Sequence, residues 1–415
     1  MTAASHRRRP RLLFVAEAVT LAHAGRLMAL ASALADDCDV CFACDPRYDA
    51  QLGEPALSRR SIATIPGDRF LTALANGSPF YDAETLADYV EEDRELIADF
   101  EPDAVIGDFR LSLDISARLS KTPYLNVTNG YWSPYATLRY PVPELPFVRM
   151  TGVPAAQWLF DRAWPLFSAR HSLPYNKVRQ WYGLPRNGFD TRDVYTGGTY
   201  SLYADIPELI PMRKLPSHHR FIGPVLWSPV EPQPNWWTDL SRDRPIVYVT
   251  LGSSGQCDLL GEILAGLAPL PVTVIAATAG RVTPGDIPSN ARLADFLPGD
   301  AAAAKASLVI SNGGSATGYQ ALAAGVPVLG IASNMDQFLY TSLVARAGAG
   351  LLLRAGRARA ATVRAAAASI LQAAAFKTRA LAMRRAIAGR QPTAGLRAVV
   401  EEIAPRAASV ASARG

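Results

Sequence analysis

The sequence has few of the features that mark several specialised protein classes. It contains no uninterrupted apolar run of about 18 residues, which argues against a membrane-spanning protein. Only 4 of its 415 residues are cysteines, so it is not a disulfide-stabilised scaffold. Charged residues make up 19% and hydrophobic residues 49% of the chain, which excludes general disorder, collagen and a coiled coil. A globular protein of two or three domains, at roughly 150 residues each, is expected.

Three catalytic signatures are also missing. There is no Walker lysine motif and no G-x-G-x-x-G segment after a strand, so ATP and NAD binding of these kinds lack support. No G-x-S-x-G motif is present, which argues against a serine hydrolase. Asp37 and Asp39 have D-x-D spacing, but they lie between a predicted helix and a predicted strand, and we interpret them as solvated turn residues.

Three of the cysteines, Cys38, Cys41 and Cys44, have the C-x2-C-x2-C spacing found in metal and cluster sites. The residues between them form a predicted strand, on which Cys38 and Cys44 share one face and Cys41 points to the other. No fourth ligand follows at cluster spacing. We therefore predict no metal site, and three small apolar strand residues in a reducing compartment.

The first residues leave an alternative open for the location of the protein. Arg7, Arg8 and Arg9 precede the short apolar run 12–15, as in a secretory signal peptide. Glu17 interrupts the apolar character, and the segment continues into a helical pattern. These features favour a cytoplasmic protein over an exported one.

Charged side chains are unevenly distributed along the chain. Residues 354–415 hold 12 basic and 2 acidic side chains, whereas the preceding residues hold 30 basic and 35 acidic ones. A wholly basic nucleic-acid-binding protein has a different distribution. The segment is predicted to be helical with a solvated basic face. A weak contact of this segment with a membrane surface remains an alternative, and binding of a nucleic acid is the least favoured interpretation.

Short apolar strands alternate with helices along the chain, which predicts parallel α/β sheets. Predicted strands of the first half cover 12–16, 40–43, 104–106 and 124–127. A proline-rich stretch then interrupts the pattern, and predicted strands of the second half cover 246–249, 272–276, 308–310 and 326–329. Two α/β halves joined by a linker predict a cleft, with ligands at the carboxyl ends of both sets of strands.

The segment 311–322 follows an apolar strand and opens a predicted helix. Its adjacent glycines, Gly313 and Gly314, let backbone N–H groups approach an anion, and a helix N-terminus adds positive potential. Ser315 and Thr317 add hydroxyl donors. These features predict a phosphate or diphosphate site, although a purely structural turn has the same local pattern.

The surrounding residues resemble the donor-binding signature of the UDP-glycosyltransferase superfamily, in particular the bacterial natural-product and macrolide-type glycosyltransferases. The runs Gly325-Val326-Pro327 and Asp336-Gln337 match that signature in spacing, and the runs 250–253 and 296–298 resemble two further segments of it. The resemblance implies the GT-B fold, in which two Rossmann-like α/β domains face each other across a cleft.

The resemblance also implies the domain limits. We expect an acceptor-binding domain at 1–215, a linker at 216–240 and a nucleotide-sugar-binding domain at 241–380. The basic segment 381–415 is expected to pack back onto the first domain. The residues that the resemblance assigns to the donor are Gly252, Ser253, Phe296, Leu297, Pro298, Asn312, Gly313, Gly314, Ser315, Thr317, Gln320, Asp336 and Gln337.

Two positions depart from the family pattern. Asn312 stands where the family has a histidine that contacts the diphosphate, and Gln320 stands where it has an acidic residue that holds the ribose. Both amides can hydrogen-bond, but neither carries a charge. The resemblance further implies that Phe296 or Leu297 faces the nucleobase of the donor. It also implies that Asp336 and Gln337 hold hydroxyls of the donor sugar.

Transfer of a sugar to a hydroxyl needs a general base, and an imidazole is suited to that task near neutral pH. His23 lies in the predicted loop after the first strand, where the resemblance places the catalytic histidine. Asp108 ends a predicted strand at the position of the family's partner aspartate, which orients the imidazole. A surface histidine and a turn aspartate are the structural alternatives.

Aromatic residues are concentrated near this base. Of the 36 aromatic residues of the chain, 13 lie at 124–182, in a stretch that reads as proline-rich and irregular. Such a segment predicts a lined acceptor pocket, although at least half of these rings should fill the core. The predicted acceptor contacts are Glu17, Tyr131, Trp132 and Tyr135.

Together these features predict an inverting, metal-independent glycosyltransferase. It would move a sugar from a nucleoside diphosphate sugar, with UDP or TDP as the nucleotide, to a hydroxyl of a small apolar or aromatic acceptor. The nucleotide sugar is a co-substrate, and no permanently bound cofactor is expected. A nucleotide-sugar epimerase on the same fold and a non-catalytic nucleotide-sugar binder are the alternatives.

Overall fold

The computed structural model describes residues 8–53, 56–229, 231–241, 243–252, 256–280 and 285–412. The first sheet contains β1 (Arg11–Ala16), β2 (Asp39–Cys44), β3 (Ser58–Arg60), β4 (Ala104–Asp108), β5 (Tyr124–Thr128), β6 (Tyr200–Tyr203) and β7 (His219–Phe221). Its strand order is β3-β2-β1-β4-β5-β6-β7, and all neighbouring strands are parallel.

The second sheet contains β8 (Ile246–Thr250), β9 (Thr273–Ala277), β10 (Ala291–Ala294), β11 (Leu308–Ser311), β12 (Val328–Ala332) and β13 (Gly350–Arg354). Its order is β10-β9-β8-β11-β12-β13, again with parallel neighbours. The central strands are buried along their whole length, as parallel sheets covered by helices on both faces require.

Helices connect the strands of the first sheet at α1 (Leu21–Leu34), α2 (Asp49–Leu52), α3 (Gly67–Asn76), α4 (Ala83–Phe100), α5 (Leu113–Leu119), α6 (Pro146–Thr151), α7 (Val153–Trp181) and α8 (Thr191–Tyr195). The later helices are α9 (Leu260–Leu267), α10 (Gly299–Lys305), α11 (Ser315–Ala323), α12 (Met335–Arg346), α13 (Ala360–Gln372), α14 (Ala374–Ala388) and α15 (Pro392–Ser412). The architecture confirms the predicted fold class, an α/β protein with two Rossmann-like sheets.

The alternation of side chains along β1 explains how the first sheet is covered on both faces. Leu12 and Phe14 pack with α1 in one apolar cluster, whereas Leu13 and Val15 belong to another cluster on the opposite face. The same alternation places Cys38 and Cys44 in the first cluster and Cys41 in the second. All three cysteines are buried and free. Cys41 and Cys44 lie in β2, as expected, whereas Cys38 directly precedes the strand.

Strand order reverses at one position in each sheet. In the first sheet, β1 lies beside β4, and Ala16 is the register partner of Asp108. In the second sheet, β8 lies beside β11, and Thr250 is the register partner of Ser311. Open parallel sheets bind ligands outside the carboxyl ends of the strands at such switch points. The topology therefore singles out the residues that follow these four strands.

Three regions differ from the sequence-based expectation. The expected linker starts at 216, whereas β7 (His219–Phe221) still belongs to the first sheet; its three residues are too few for a recognisable strand pattern. The aromatic stretch expected to be irregular contains the 29-residue α7, which continues through Pro165 and Pro174. Packing of its buried face outweighs the low helix propensity of proline.

The C-terminal boundary also lies elsewhere than expected. Residue 381 falls inside α14, whose buried side chains join an apolar cluster formed by residues of both halves. The helix that packs with α1 is α15, because Leu396, Val399 and Val400 belong to the first sheet's core. Basic residues of this region pair with acids of the first half, as Arg390 does with Glu208 at 2.9 Å.

None of the helices within the described ranges is long and apolar enough to cross a membrane.

Candidate active site

A cavity of about 260 Å³ is lined by residues that follow the switch-point strands of both sheets. Ten of the predicted site residues line it, namely His23, Asp108, Trp132, Gly252, Asn312, Gly314, Ser315, Thr317, Asp336 and Gln337. The topology thus brings together residues from both halves of the chain. The predicted catalytic residues and most of the predicted donor-binding residues therefore line one cavity.

On the first sheet's side, His23 and Asp108 form a direct hydrogen bond. His23 is the third residue of α1 rather than a loop residue, because the helix begins at Leu21, close to the end of β1. Its Nδ1 lies 2.8 Å from Oδ1 of Asp108, the last residue of β4. An ionised carboxylate can only accept, so Nδ1 donates and Nε2 is left as the proton acceptor. The His23 side chain is 23% exposed, whereas that of Asp108 is 1% exposed.

Arg26 is a third member of this group that the sequence did not reveal. Its Nε donates to Asp108 Oδ2 at 2.6 Å and one of its NH groups donates to Oδ1 at 2.8 Å, a bidentate arrangement. Burial alone would raise the pKa of Asp108, but the charges of Arg26 and His23 and their hydrogen bonds hold it below its ordinary value. Asp108 is therefore an ionised partner. Helical spacing from His23 to Arg26 is the one signal that could have identified this residue.

Phe109 covers the imidazole. Its ring stacks on His23 with centroids 4.9 Å apart and an angle of 13° between the planes. Phe109 has a φ of 59°, in the left-handed region that bulky residues rarely adopt. Non-glycine residues held in this region are often found at functional sites. The backbone after β4 thus places an aromatic ring beside the His23 imidazole.

Further rings continue this wall away from His23. Phe80 lies 5.9 Å from Phe109 and 6.5 Å from His171, and Phe167 lies 4.1 Å from His171, all between centroids. All four line the cavity. Burial lowers the pKa of His171 below its ordinary value, so its imidazole is neutral at neutral pH. This end of the cavity suits an apolar or aromatic molecule.

On the second sheet's side, the turn after β11 contains no charged side chain. Asn312 Oδ1 accepts from Gly314 N at 3.1 Å, and Ser311 Oγ accepts from Gly313 N at 3.1 Å. Gly313 has a φ of 84° and does not line the cavity; a Cβ there would collide with Thr341. Hydrogen bonds within the turn therefore fix its shape, and the groups that can bind an anion are those of the following helix.

The first turn of α11 faces the cavity. Its N-cap, Gly314, provides no side-chain cap, and Ser315, Ala316 and Thr317 all line the cavity. The first N–H groups of a helix have no partner within it and carry positive potential. Together with the two hydroxyls, they can bind an anion such as a diphosphate.

Asp336 and Gln337 lie at the start of α12. Asp336 Oδ1 accepts from Trp132 Nε1 at 2.9 Å, a contact between the two halves of the protein. Gln337 closes the capping box with Asn334, and its Oε1 also accepts from Ser333 N. Its buried Nε2 makes no hydrogen bond, which leaves a donor beside the cavity. These groups can bind sugar hydroxyls.

Besides Gly313, four of the predicted donor residues among the described ones do not line the cavity. Gln320 Nε2 donates to Trp227 O at 2.6 Å and to Ser228 Oγ at 3.0 Å, so its amide is bound to the connecting segment. Leu297 is 2% exposed in the core, and Phe296 and Pro298 lie near it, outside the lining. Ser253, also predicted, lies outside the described residues.

Three of the predicted acceptor contacts also lie elsewhere. Glu17 is fully buried and pairs with Arg110 at 3.0 Å, in a cluster with Asp93 that anchors the loop after β4. Tyr131 is fully buried in the core. Tyr135 packs against His219, with centroids 5.1 Å apart. Sequence position alone could not separate these side chains from Trp132, which does line the cavity.

Within the part of the chain that the structure describes, no group of three or more His, Cys, Asp or Glu side chains could hold a metal ion. The two carboxylates of the cavity accept hydrogen bonds from nitrogen donors instead. Asp108 binds two nitrogen-bearing side chains, and Asp336 binds an indole.

The chain matches known proteins in sequence. Residues 262–403 match the family model of the erythromycin biosynthesis protein CIII-like C-terminal domain. A PGL/p-HBAD biosynthesis glycosyltransferase of Mycobacterium tuberculosis is 49% identical over 371 residues, 89% of this chain and 87% of that protein. A PGL/p-HBAD biosynthesis rhamnosyltransferase of Mycobacterium bovis is 50% identical, over 84% of this chain and 78% of that protein.

Solved structures show the same fold. The spinosyn forosaminyltransferase superposes with a TM-score of 0.69 at 19% identity, covering 96% of this chain and all of that one. The spinosyn rhamnosyltransferase in complex with thymidine diphosphate gives 0.68 at 20% identity, over 94% of this chain and 99% of that one.

Proposed function

This chain belongs to the glycosyltransferase family of the PGL/p-HBAD biosynthesis enzymes, and we propose that it is an inverting, metal-independent transferase. The donor is a nucleoside diphosphate sugar carrying UDP or TDP, and the acceptor is a hydroxyl of a small apolar or aromatic molecule. One observation carries the proposal. The hydrogen-bonded pair of His23 and Asp108 lines the same cavity as the uncapped first turn of α11.

His23 is the proposed general base. Its Nε2 takes the proton of the acceptor hydroxyl while that oxygen attacks the anomeric carbon of the sugar. The bond between that carbon and the diphosphate oxygen breaks, and attack from the opposite face inverts the configuration. Asp108, ionised through Arg26, fixes the imidazole tautomer and stabilises the imidazolium that forms.

The first turn of α11 is the proposed site of the diphosphate. Its N–H groups and the hydroxyls of Ser315 and Thr317 stabilise the charge that develops on the leaving group. Asp336 and Gln337 are proposed to hold the sugar. The nucleotide then extends towards Phe296 and Leu297, which requires an adjustment of these residues or of the connecting segment near Trp227.

The aromatic wall beside His23 supports the acceptor class. A phenol placed against Phe109 and Phe80 would bring its hydroxyl towards the base and bury its ring among other rings. The aromatic character of this wall favours a phenolic acceptor over a polymeric sugar.

The test is a transfer assay with the purified chain. TDP-rhamnose and UDP-glucose are each incubated with a simple alkylphenol, and products are separated by chromatography and identified by mass. We expect a glycosylated phenol with one donor and none with His23→Ala. A reaction without acceptor serves as the control, because a changed sugar in that tube would indicate an epimerase.

A non-catalytic nucleotide-sugar binder is the second candidate. It is favoured by the uncharged Asn312 and by Gln320, whose amide is engaged with Trp227 and Ser228. A relative from Mycobacterium bovis, 46% identical over 63% of this chain, is named as inactive. Thermal stabilisation by TDP or UDP without any product, across many acceptors, would favour this candidate over the transferase.

A further inference from the structure

Large apolar side chains that are exposed to solvent are concentrated on one segment of the chain. Nine such side chains occur among the described residues, and seven of them lie within 150–189. These are Met150, Trp158, Leu159, Leu166, Leu173, Trp181 and Phe189. Single exposed apolar residues are ordinary on protein surfaces, whereas a contiguous group of them marks an interaction surface.

Most of this group forms one face of α7, which we call the outer face: Trp158, Leu159, Leu166, Leu173 and Trp181. At about 3.6 residues per turn these five side chains fall within roughly 140° of the helix circumference. Leu166 is 76% exposed, and the two tryptophans at the ends are 54% and 51% exposed. The opposite side of α7 carries Trp164, Phe167 and His171, which line the central cavity.

The same segment is strongly basic. Residues 149–189 contain six basic side chains and one acidic side chain. Five of the basic residues are exposed, namely Arg149, Arg162, Arg170, Lys177 and Arg186. The acidic one, Asp161, is already paired with Arg139. Acids of α4, which packs against α7, offset part of this charge near the end of α7: Glu84 pairs with Lys177 at 3.4 Å, and Glu91 accepts from Tyr182 Oη. Asp82 pairs instead with Arg69.

Basic and aromatic groups alternate closely on the outer face. The Arg162 guanidinium lies 3.7 Å from the ring centroid of Trp158, and Lys177 Nζ lies 4.8 Å from that of Trp181. Long basic side chains can cover apolar surface with their stems while their charged ends reach polar groups. Tryptophan and basic residues in this combination are typical of helices that lie in a membrane interface.

We propose that the outer face of α7 docks on an anionic lipid surface. The apolar side chains enter the headgroup region, and the five exposed basic residues bind lipid phosphates. A second copy of this chain is a poorer occupant, because a symmetric contact would bring these basic groups against each other. The surface is separate from the switch-point residues, and its binding can be measured without turnover.

Docking in this orientation has a consequence for the cavity. The helix that enters the interface is the helix that supplies Trp164, Phe167 and His171 to the aromatic wall. An apolar acceptor dissolved in the lipid would then lie one helix diameter from the wall, about 10 Å. This consequence rests on the proposed function, whereas the docking itself does not.

The experiment is co-sedimentation of the full chain with vesicles of phosphatidylcholine alone or with 30% phosphatidylglycerol. We expect binding to the anionic vesicles that weakens with added salt, and at least about tenfold weaker binding to the neutral ones. Leu166→Glu should reduce the anionic binding at least about tenfold. Ile287→Glu is the matched control, because Ile287 is 51% exposed outside this segment and should leave binding unchanged.

A second variant tests the charge separately. The double substitution Arg162→Gln and Lys177→Gln should remove most of the preference for anionic vesicles and leave the melting temperature within about 2 °C. Equal vesicle binding by Leu166→Glu and the unchanged chain would overturn the proposal. So would the absence of vesicle binding, including the case in which light scattering shows a dimer that Leu166→Glu dissociates.

Discussion

The two switch points occupy equivalent places in their sheets, but they differ in charge. After β1 and β4, His23 and Arg26 both bind the carboxylate of Asp108 within 3 Å. After β11, the turn holds only amide, hydroxyl and backbone groups, and it opens the uncapped α11. The switch point of the first sheet is thus built from paired charges, and the turn after β11 from neutral dipoles.

This difference matches two kinds of chemistry. A proton acceptor must keep a defined protonation state, which requires a fixed counter-charge such as Asp108. A diphosphate carries its own charge into the site, and oriented N–H groups can bind it without a buried cation. The same topology therefore supports proton transfer on one side and anion binding on the other. Five substitutions test this division.

The largest effect is expected for His23→Ala. Removal of the proposed base should lower kcat about 100- to 10,000-fold. Nucleotide affinity should change little, because the proposed diphosphate site lies on the other side of the cavity. Transfer assays and a thermal-shift titration with TDP measure the two quantities. His218→Ala removes an exposed histidine and is the control; equal activity of both variants would place the base elsewhere.

Asn312→Asp tests the uncharged turn after β11. The carboxylate can still accept from Gly314 N and keep the turn, but its charge opposes that of the diphosphate. We expect the TDP dissociation constant to rise about tenfold or more, a cost on the order of 1.4 kcal/mol. Gln391→Glu makes the same charge change at an exposed site and should have no effect. If Asn312→Asp binds TDP with unchanged affinity, the diphosphate does not bind near this turn.

Arg26→Gln tests the charged side without removing the base. Arg26 lowers the pKa of Asp108, so its loss raises that pKa and protonates Asp108 at a higher pH. The acid limb of the kcat profile should move up by about one pH unit, with a severalfold loss of activity at pH 5 and a smaller one at pH 8. Arg26→Lys keeps the charge and should move the limb less. A uniform loss at all pH values would indicate a purely structural role.

Trp132→Phe removes one hydrogen bond between the halves and keeps an aromatic ring. Asp336 then loses its indole partner, and we expect the KM for the donor to change about threefold to tenfold. Phe147→Leu, at a partly buried aromatic position away from the cavity, is a control for general loss of packing. No change in KM would mean that Asp336 does not depend on Trp132 for its position.

The smallest effect concerns Asp205, which links the halves through the hydroxyl of Tyr319, 2.8 Å away. Burial raises the pKa of Asp205 to about 6. The folded chain therefore binds this proton more tightly than the unfolded chain, and the associated stability is lost as pH rises through 6. Asp205→Asn mimics the protonated form. We expect the difference in melting temperature between Asp205→Asn and the unchanged chain to shift by about 2 °C in favour of the variant when the pH is raised from 5 to 8.

Regular patterns in the sequence predicted most of the fold. Buried strands such as Leu12–Val15 and Val247–Val249 have continuous apolar runs, and all eight predicted strands overlap observed ones. The resemblance to natural-product glycosyltransferases is confirmed by the sequence relatives and by the shared fold. Short edge strands such as β3 and β7 were missed because three residues carry no periodic signal. The long α7 was missed because of its two prolines.

The site was predicted in part, for a similar reason. His23, Asp108 and the residues of α11 follow apolar strands, so their place at a sheet edge could be inferred. Phe80, Phe109 and Phe167 are far apart in the chain, and only the packing of α7 against its neighbouring helices makes them one wall. Gln320 was assigned by its position, but its amide is bound by a segment more than 90 residues away.

The sequence by itself determined two parallel α/β halves, the turn that opens α11 and the candidate base, because these depend on local patterns of apolar, glycine and polar residues. Only the tertiary structure decided which residues meet. In the folded chain Arg26 binds Asp108, and Glu17 and Tyr131 are buried away from the cavity. Some aromatic residues of α7 line the cavity, whereas others are exposed to solvent. These outcomes depend on contacts between residues distant in sequence, and no local pattern encodes such contacts.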